Sequence, residues 1–251
     1  MPESAEDFSI DELMAVVLAR ELKNGQMGMG TMITYLADAA VCLAKLTHAK
    51  ELIYYAHNGW DPKEYTISAL RNVEHVTKSA VFVPDWQEIL SLGLRGKIDF
   101  QIVAPAQIDK YGNVNNNLIG DLNQPEVRLP GSLGLPEISC YQKRMLIYEP
   151  KHVPRVFVEE VDFVAGLRKG TISGGSSIVV SNLAVMDFEE NSGLMRLKSL
   201  HPGATLEDIR WNTGFDMIIP ESLPETEKPT AEQVNLLRTK IDPLGLRKHR
   251  M

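Results

Sequence analysis

The chain has 251 residues, 44% hydrophobic and 24% charged, which is enough apolar material for a core and excludes a disordered or fibrous protein. Its formal net charge of -7 argues against nucleic acid or an anionic membrane as the main partner. No run approaches the ~20 apolar residues of a membrane helix, and the start lacks signal-peptide features, so we expect a cytoplasmic protein. Two cysteines are too few for a disulfide framework or a zinc cluster.

The first half of the chain alternates helical and strand-like patterns. Ser9 and Glu12 have the spacing of a capping box, and the apolar stripe that follows predicts a helix stopped by Gly25. In chain order, the patterns then predict a strand over 26–29, a helix over 35–45, strands over 51–56 and 81–83, a helix over 85–92 and a strand over 98–104. This alternation predicts an α/β fold, an open and mostly parallel sheet with flanking helices.

The second half is less regular and richer in strand patterns. Strands are predicted over 155–158 and 177–181, a hairpin over 185–188 and 195–200, and short helices over 205–212 and 230–240, with an exposed strap over 220–229. Because no internal repeat occurs, we expect residues 1–251 to form a single domain with an irregular, β-rich C-terminal part.

In parallel sheets, ligands bind beyond the carboxyl ends of the strands, which directs attention to the loops after Met29, Ala56 and Ala104. The first of these contains Gly28 and Gly30. A dinucleotide fingerprint would need a further glycine nearby, so a tight turn with backbone amides facing a ligand is favoured over a nucleotide site.

After Ala56, a predicted strand ends in His57-Asn58-Gly59. Imidazole titrates near neutral pH and can act as a general acid or base. On these residues alone, the alternative is a histidine that caps the strand end.

Two further loops carry candidate binding groups. The polar segment 104–115 follows a buried strand, with a β-turn predicted over 109–112, and we expect it to expose backbone N–H groups and the Gln107 amide, which can stabilise an oxyanion. The segment 130–134 is a second flexible loop. A plain turn and a simple connector are the alternatives at these places, and no Gly-x-Ser-x-Gly elbow, P-loop or His-Glu-x-x-His helix occurs in the sequence.

Several phrases of the sequence resemble the β subunit of family I CoA-transferases of the glutaconate type. They are Lys23-Asn-Gly25, the run Ala-Gln-Ile-Asp-Lys-Tyr-Gly-Asn-Val-Asn over 106–115, Asn212-Thr-Gly-Phe-Asp216 and Ile241-Asp-Pro243. The resemblance covers the chain from about Ser9 to Pro243. It implies a CoA-transferase superfamily sheet, an acyl-CoA substrate and a homologous α subunit in an α2β2 heterotetramer with the active site at the interface. It indicates no metal and no other cofactor, since coenzyme A is part of the substrate.

The resemblance also shows a departure at the expected nucleophile. In the transferases a glutamate at a strand end, two residues before a glycine, forms a glutamyl-CoA thioester, whereas His57 and Gly59 stand at the matching positions here. Two non-transferring branches have similar losses: a decarboxylase of 3-methylglutaconyl-CoA and a ring-opening hydrolase of steroid degradation. The chain resembles the hydrolase's β subunit also at 155–159, 180–183 and 199–203.

The site expected from this resemblance combines all of these loops. His57 would be the acid–base or orienting group, with Asn58 and Gln107 as polar contacts to the acyl group. Segments 104–107 and 131–134 replace the family's Gly-Gly-Ala-Gln and Gly-Ser-Gly-Gly stretches, and Pro105 lacks the N–H that one of those glycines would supply. Residues expected to bind the substrate or CoA are Gly28, Gly30, Gly59, Ala106, Asn113, Gly131, Ser132 and Gly134.

The expected activity is hydrolytic C–C cleavage, that is ring opening, or decarboxylation of an acyl-CoA, because an imidazole adduct would not reproduce the CoA exchange of a carboxylate. One alternative is genuine CoA transfer with a recruited carboxylate such as Glu51 or Glu64. The other is a non-catalytic scaffold that completes the α-subunit site, or a ligand sensor.

Overall fold

The computed structural model of the chain describes residues 3–30, 35–56, 59–168 and 174–248. The helices are α1 (Ile10–Arg20), α2 (Tyr35–Thr47), α3 (Ile67–Leu70), α4 (Val73–Ser79), α5 (Trp86–Leu94), α6 (Leu135–Tyr141), α7 (Leu206–Asn212) and α8 (Ala231–Leu236), the last continued by a π-helical turn (Leu237–Ile241) and followed by a 3₁₀ turn (Leu246–Lys248). The strands are β1 (Met27–Gly30), β2 (Ile53–Ala56), β3 (Gly59–Trp60), β4 (Phe100–Val103), β5 (Gln107–Asp109), β6 (Val114–Asn115), β7 (Leu118–Gly120), β8 (Pro125–Arg128), β9 (Arg144–Glu149), β10 (Phe157–Val158), β11 (Ser176–Ser181), β12 (Ala184–Phe188) and β13 (Met195–Leu200).

The chain divides into two compact units. The first comprises Met1–Ile89, Ile98–Val103 and Glu227–Met251, and the second comprises Leu90–Lys97 and Ala104–Thr226. The single domain predicted from the sequence stays a prediction, and each unit is described by itself.

In the first unit, β1 is parallel to both β2 and β4, and β3 is antiparallel to β2. The strand order β4-β1-β2-β3 confirms the α/β arrangement predicted from the alternating patterns. The interior of this unit includes α1 and α2, whose apolar side chains are almost completely buried. Because α2 is buried nearly all round, its composition is apolar beyond a single stripe.

Two local predictions for the first unit were wrong. The segment 81–83 makes only a bridge between Phe82 and Trp60, and Val81 is 79% exposed, so this apolar run is not a buried strand. Helix α1 ends at Arg20 and not at Gly25, which lies in a later turn with φ +75°. The predicted capping contact is present, since the Ser9 N–H donates to the Glu12 carboxylate at 2.9 Å.

The second unit carries the β-rich part. Strand β11 is parallel to β9 and antiparallel to β12, and β12 and β13 form the predicted hairpin. A small sheet has the order β10-β5-β6, and β7 and β8 form a separate ribbon. The predicted strap is not free along its length, because Glu225 bridges Leu200 in β13.

Within the described ranges, the structure contains no helix of sufficient length and apolarity to span a membrane.

Candidate functional site

Three parallel strands of the first unit end at one edge of the sheet. The register pairs Met29 with Tyr55, and Gly30 with Ile102, so β1, β2 and β4 finish side by side. The carboxyl edge predicted from the sequence therefore exists, with Ala56 as the last residue of β2. The next two residues, His57 and Asn58, lie outside the described residues, and their predicted catalytic roles stay predictions.

Beyond them, the chain returns along β2 as a hairpin in which Ala56 pairs with Gly59. Gly59 is buried, and a Cβ placed on it would lie 2.5 Å from the Ala80 Cβ. Gly59 is thus required for close packing against the end of α4. Its predicted contact with substrate has no support from this geometry.

Gly28 has a comparable packing role. A Cβ on this buried residue would lie 2.2 Å from the Phe100 ring, so the aromatic side chain fills the space that a ligand would need. The expectation that Gly28 shapes a substrate pocket is not supported. Gly30 is half-buried and ends β1 at the carboxyl edge, where a role in binding remains a prediction.

Beneath this edge, α2 carries buried charges that the sequence patterns did not indicate as functional. Asp38 accepts hydrogen bonds from Tyr54 Oη at 2.9 Å and from Arg71 Nε at 3.0 Å. Burial raises the pKa of Asp38 to about 6, against the lowering effect of the nearby Arg71 guanidinium. A buried carboxyl with a raised pKa occurs in functional regions and also in structural ion pairs such as this one with Arg71.

In the second unit, the segment 104–115 is a β-hairpin and not an open loop. Most of its backbone donors are occupied: the Ala106 N–H, for example, bonds Asn115 O and Asn116 Oδ1, both at 2.9 Å. At the turn, the Asp109 carboxylate accepts from Asn113 N at 3.0 Å and Nδ2 at 2.8 Å. The expectation that this segment exposes free backbone N–H groups was wrong, and Asn113 acts as a turn residue.

Gln107 is buried, and its amide is engaged with neighbours. Its Nε2 donates to Asp162 at 2.9 Å, while its Oε1 accepts from Asn115 Nδ2 at 2.7 Å and from the Asp162 N–H at 3.1 Å. Both lone pairs of the amide oxygen are therefore used within the fold. The arrangement supports a role in holding the hairpin, and the polar contact to an acyl group stays a prediction.

One residue that the sequence patterns did not indicate joins two predicted loops. Asn116 Oδ1 accepts from Ala106 N, and the Asn116 carbonyl accepts from Gly131 N at 3.1 Å. The structure thus brings Ala106 and Gly131 together through a single asparagine. The only signal for it in the sequence was the run of three asparagines over 115–117.

The second predicted loop has an unusual backbone. Gly131, Leu133 and Gly134 have φ of +95°, +24° and +76°, a conformation that favours glycine. The Oγ of Ser132 is buried and has no hydrogen-bond partner among the described residues. A buried hydroxyl without a partner costs free energy, so Ser132 is the group in this loop most suited to a polar ligand.

Two cavities of about 500 and 480 Å³ lie elsewhere in the second unit and share Arg210. The larger is lined in part by 213–217, which overlaps one of the phrases that carry the family resemblance. None of the predicted site residues that the structure describes lines either cavity. Within the part of the chain that the structure describes, no three His, Cys, Asp or Glu side chains cluster closely enough to hold a metal.

Comparison with known proteins places these features in a family. A model of the coenzyme A transferase family matches residues 12–212. The chain belongs to the coenzyme A transferase family. The predicted family and α/β fold are thereby confirmed.

The similar proteins within this family have different activities. Over 246 residues, the chain is 33% identical to the β subunit of 3-oxoadipate CoA-transferase of Pseudomonas knackmussii, covering 92% of each. It is 29% identical to the β subunit of glutaconate CoA-transferase of Acidaminococcus fermentans, covering 94% of each. It is also 29% identical to the cholesterol ring-cleaving hydrolase IpdB subunit of Mycobacterium tuberculosis, covering 94% of this chain and 96% of that one.

A solved structure adds a further activity among the similar proteins. The decarboxylase AibA/AibB superposes with a TM-score of 0.86 at 25% identity, covering 96% of this chain and 98% of the other. Family members of this fold therefore include transferases, a hydrolase and a decarboxylase. Membership alone does not select one reaction, so the residues of the site must do so.

Proposed function

We propose that this chain is the β subunit of a heteromeric enzyme that cleaves a C–C bond of an acyl-CoA, by hydrolytic ring opening or by decarboxylation. The observation that supports it is the position of Ala56, which ends β2 at the edge where β1 and β4 also end. The residue that follows in the sequence is His57, where the transferases resembled by this chain carry their glutamate.

The names of the similar proteins support a second subunit as partner. Two are single subunits of CoA-transferases, and the similar solved decarboxylase has two components, AibA and AibB. We therefore propose a homologous α subunit, which would complete the site and could supply a carboxylate.

Both proposed reactions need a proton donor from the protein. In hydrolytic cleavage, water adds to a ketone, the adjacent C–C bond breaks, and its electron pair enters an enolate. In decarboxylation, CO₂ leaves and the electron pair enters the system conjugated with the thioester. In each case the carbanionic carbon then takes a proton, which an imidazole can deliver near neutral pH.

Within the second unit, the loop over 131–134 carries a polar group that could bind a ligand. Ser132 has a buried hydroxyl that is unpartnered in the described part of the chain, whereas the Ala106 N–H is already bonded twice. A carbonyl or carboxylate oxygen of the acyl group would satisfy that hydroxyl. Ser132 is therefore our first choice for the polar contact that the sequence patterns assigned to Gln107.

The test uses the chain co-expressed with a homologous α subunit. The enzyme is supplied in turn with glutaconyl-CoA, 3-oxoadipyl-CoA and a CoA ester with a cyclic 1,3-diketone. The products are identified by mass spectrometry. His57→Ala should lower kcat about 100-fold or more. His75→Ala is the matched control, since it removes the same kind of side chain from α4, outside the segment 57–59. Wild-type turnover by His57→Ala would contradict the proposal.

CoA transfer is the second candidate, favoured by the activities of two relatives. It requires a carboxylate near the carboxyl edge. Glu51 does not meet this need, because it precedes β2 at the opposite end and bonds Asn24 at 2.7 Å. Borohydride trapping of an enzyme–CoA thioester, with ping-pong kinetics, would establish transfer; His57→Glu should create this adduct where the wild type has none.

A further inference from the structure

Helix α2 presents a buried face that is partly charged. Asp38, Cys42 and Lys45 follow one another at spacings of four and three residues, which places them on one side of the helix. Asp38 is 2% exposed and Lys45 is 7% exposed. Desolvating such groups is costly, and a well-packed apolar pair often stabilises a fold equally well. These charges therefore call for an explanation other than stability.

Lys45 holds both ends of the β2–β3 hairpin. Its ammonium donates to Leu52 O, just before β2, and to Asp61 Oδ1, just after β3, at 2.6 Å for the second. The side chains of this ion pair are 5% and 28% exposed, which limits screening by water. One cation thus joins the residue before the hairpin to the residue after it.

Asp61 is fixed from several directions. Its N–H donates to Tyr54 O at 2.8 Å, and Tyr65 Oη donates to its Oδ1 at 2.7 Å. The same Lys45 ammonium lies 4.5 Å from the centre of the Tyr65 ring. Asp61 also has φ +49°, a left-handed conformation that is uncommon outside glycine and persists where the surroundings impose it.

We infer that Lys45 and Asp61 are positioning residues that set the geometry of the β2–β3 hairpin. His57 and Asn58 lie between β2 and β3 in the sequence, so a change in the geometry of this hairpin would affect the residues on which the proposed function depends. The catalytic consequence rests on the proposed function, whereas the effect on the hairpin does not. Neither residue needs to touch the substrate.

The experiment separates positioning from stability in the complex with the α subunit. Lys45→Met leaves Asp61 without its cation and should lower both Tm and kcat. The double variant Lys45→Met/Asp61→Asn removes the unpaired charge, so Tm should recover. Its kcat should stay about 10- to 100-fold low, with KM within about threefold of wild type, because misplaced catalytic groups reduce turnover more than binding. Arg238→Met is the matched control, since it breaks an ion pair between the exposed Arg238 and the buried Glu12, far along the chain.

Hydrogen exchange gives a readout that does not depend on activity. The amides of Trp60 and Asp61, bonded to Phe82 O and Tyr54 O, should exchange faster in both Lys45 variants and at the wild-type rate in Arg238→Met. If the double variant regains kcat and slow exchange together with Tm, the pair only stabilises the fold and the inference is overturned. If His57→Ala is fully active, the proposed function fails while the exchange rates still decide whether the pair sets the hairpin.

Discussion

The two units hold their functional segments by different interactions. In the first unit, α2 carries two ion pairs with buried partners, Lys45 with Asp61 and Asp38 with Arg71. In the second unit, neutral amides and hydroxyls have this role, as where Asn116 links Ala106 to Gly131. The first unit therefore contains buried ion pairs of α2, whereas the link between Ala106 and Gly131 in the second unit is made by neutral groups.

Two buried histidines make the second unit sensitive to acid. His152 bonds Ser181 Oγ at 2.8 Å, and His201 bonds Ser181 O at 2.8 Å, so both imidazoles meet at the end of β11. Burial lowers the pKa of His152 to about 3 and that of His201 to about 4. Both are therefore neutral in the folded chain, and below pH 6.5 the unfolded chain binds protons that the folded chain cannot.

The largest expected effect is a loss of stability of the second unit at low pH, because the lowered histidine pKa values favour protonation of the unfolded chain. Lowering the pH from 7 to 5 should remove about 2 kcal/mol of stability per histidine, about 4 kcal/mol together. In the first unit, the raised pKa of Asp38, about 6, adds stability over the same range, because the folded carboxyl binds the proton.

Pulse-labelling hydrogen exchange after incubation at pH 7 and pH 5 measures this contrast. The amides of β11 and β12 should open at pH 5 while those of β1 and β2 stay protected. A variant with His152→Asn and His201→Asn should lose most of the pH dependence of the second unit. Opening of β1 first would contradict the contrast between the units.

The next effect concerns packing between β1 and β4. Gly28→Ala places a methyl group 2.2 Å from the Phe100 ring, and this overpacking should cost about 2–3 kcal/mol in urea unfolding. The double variant Gly28→Ala/Phe100→Leu should recover at least half of that loss because the smaller side chain makes room. No recovery would mean that another contact requires the glycine.

A smaller effect is expected in the second unit. Asn116→Ala removes one of the two acceptors of the Ala106 N–H and should cost about 1 kcal/mol or less, with a further loss of turnover if the joined loops bind substrate. Asn117→Ala is the matched control, because Asn117 accepts from Leu129 through its backbone carbonyl. Equal losses of stability in the two variants would show that the Asn116 side chain does not link the two loops.

The weakest effect tests whether charge pairing matters only when buried. Lys78 and Glu74 form an exposed pair at 2.6 Å with side chains 73% and 76% exposed. Lys78→Ala should change the free energy of unfolding by less than about 0.5 kcal/mol. If Lys78→Ala lowers the free energy of unfolding as much as Lys45→Met does, burial does not decide how much an ion pair contributes.

Much of the fold followed from local patterns. The end of β2 at Ala56 and the β12–β13 hairpin were predicted from apolar runs and turn residues, which act over short stretches of chain. The strands from β5 to β8 are two to four residues long; the segment of β5 and β6 was interpreted as a loop, and no element was predicted where β7 and β8 lie. Short runs of this kind carry little periodicity.

Residue patterns were enough to predict the alternation of strands and helices, the edge where three strands end, and the replacement of a family glutamate by His57. Three-dimensional packing was needed to show that Gly28 accommodates Phe100, that Gln107 is bonded to Asp162, and that Lys45 spans a hairpin. Propensity and periodicity act between near neighbours, whereas the role of a glycine, an amide or a buried charge depends on partners far away in the chain.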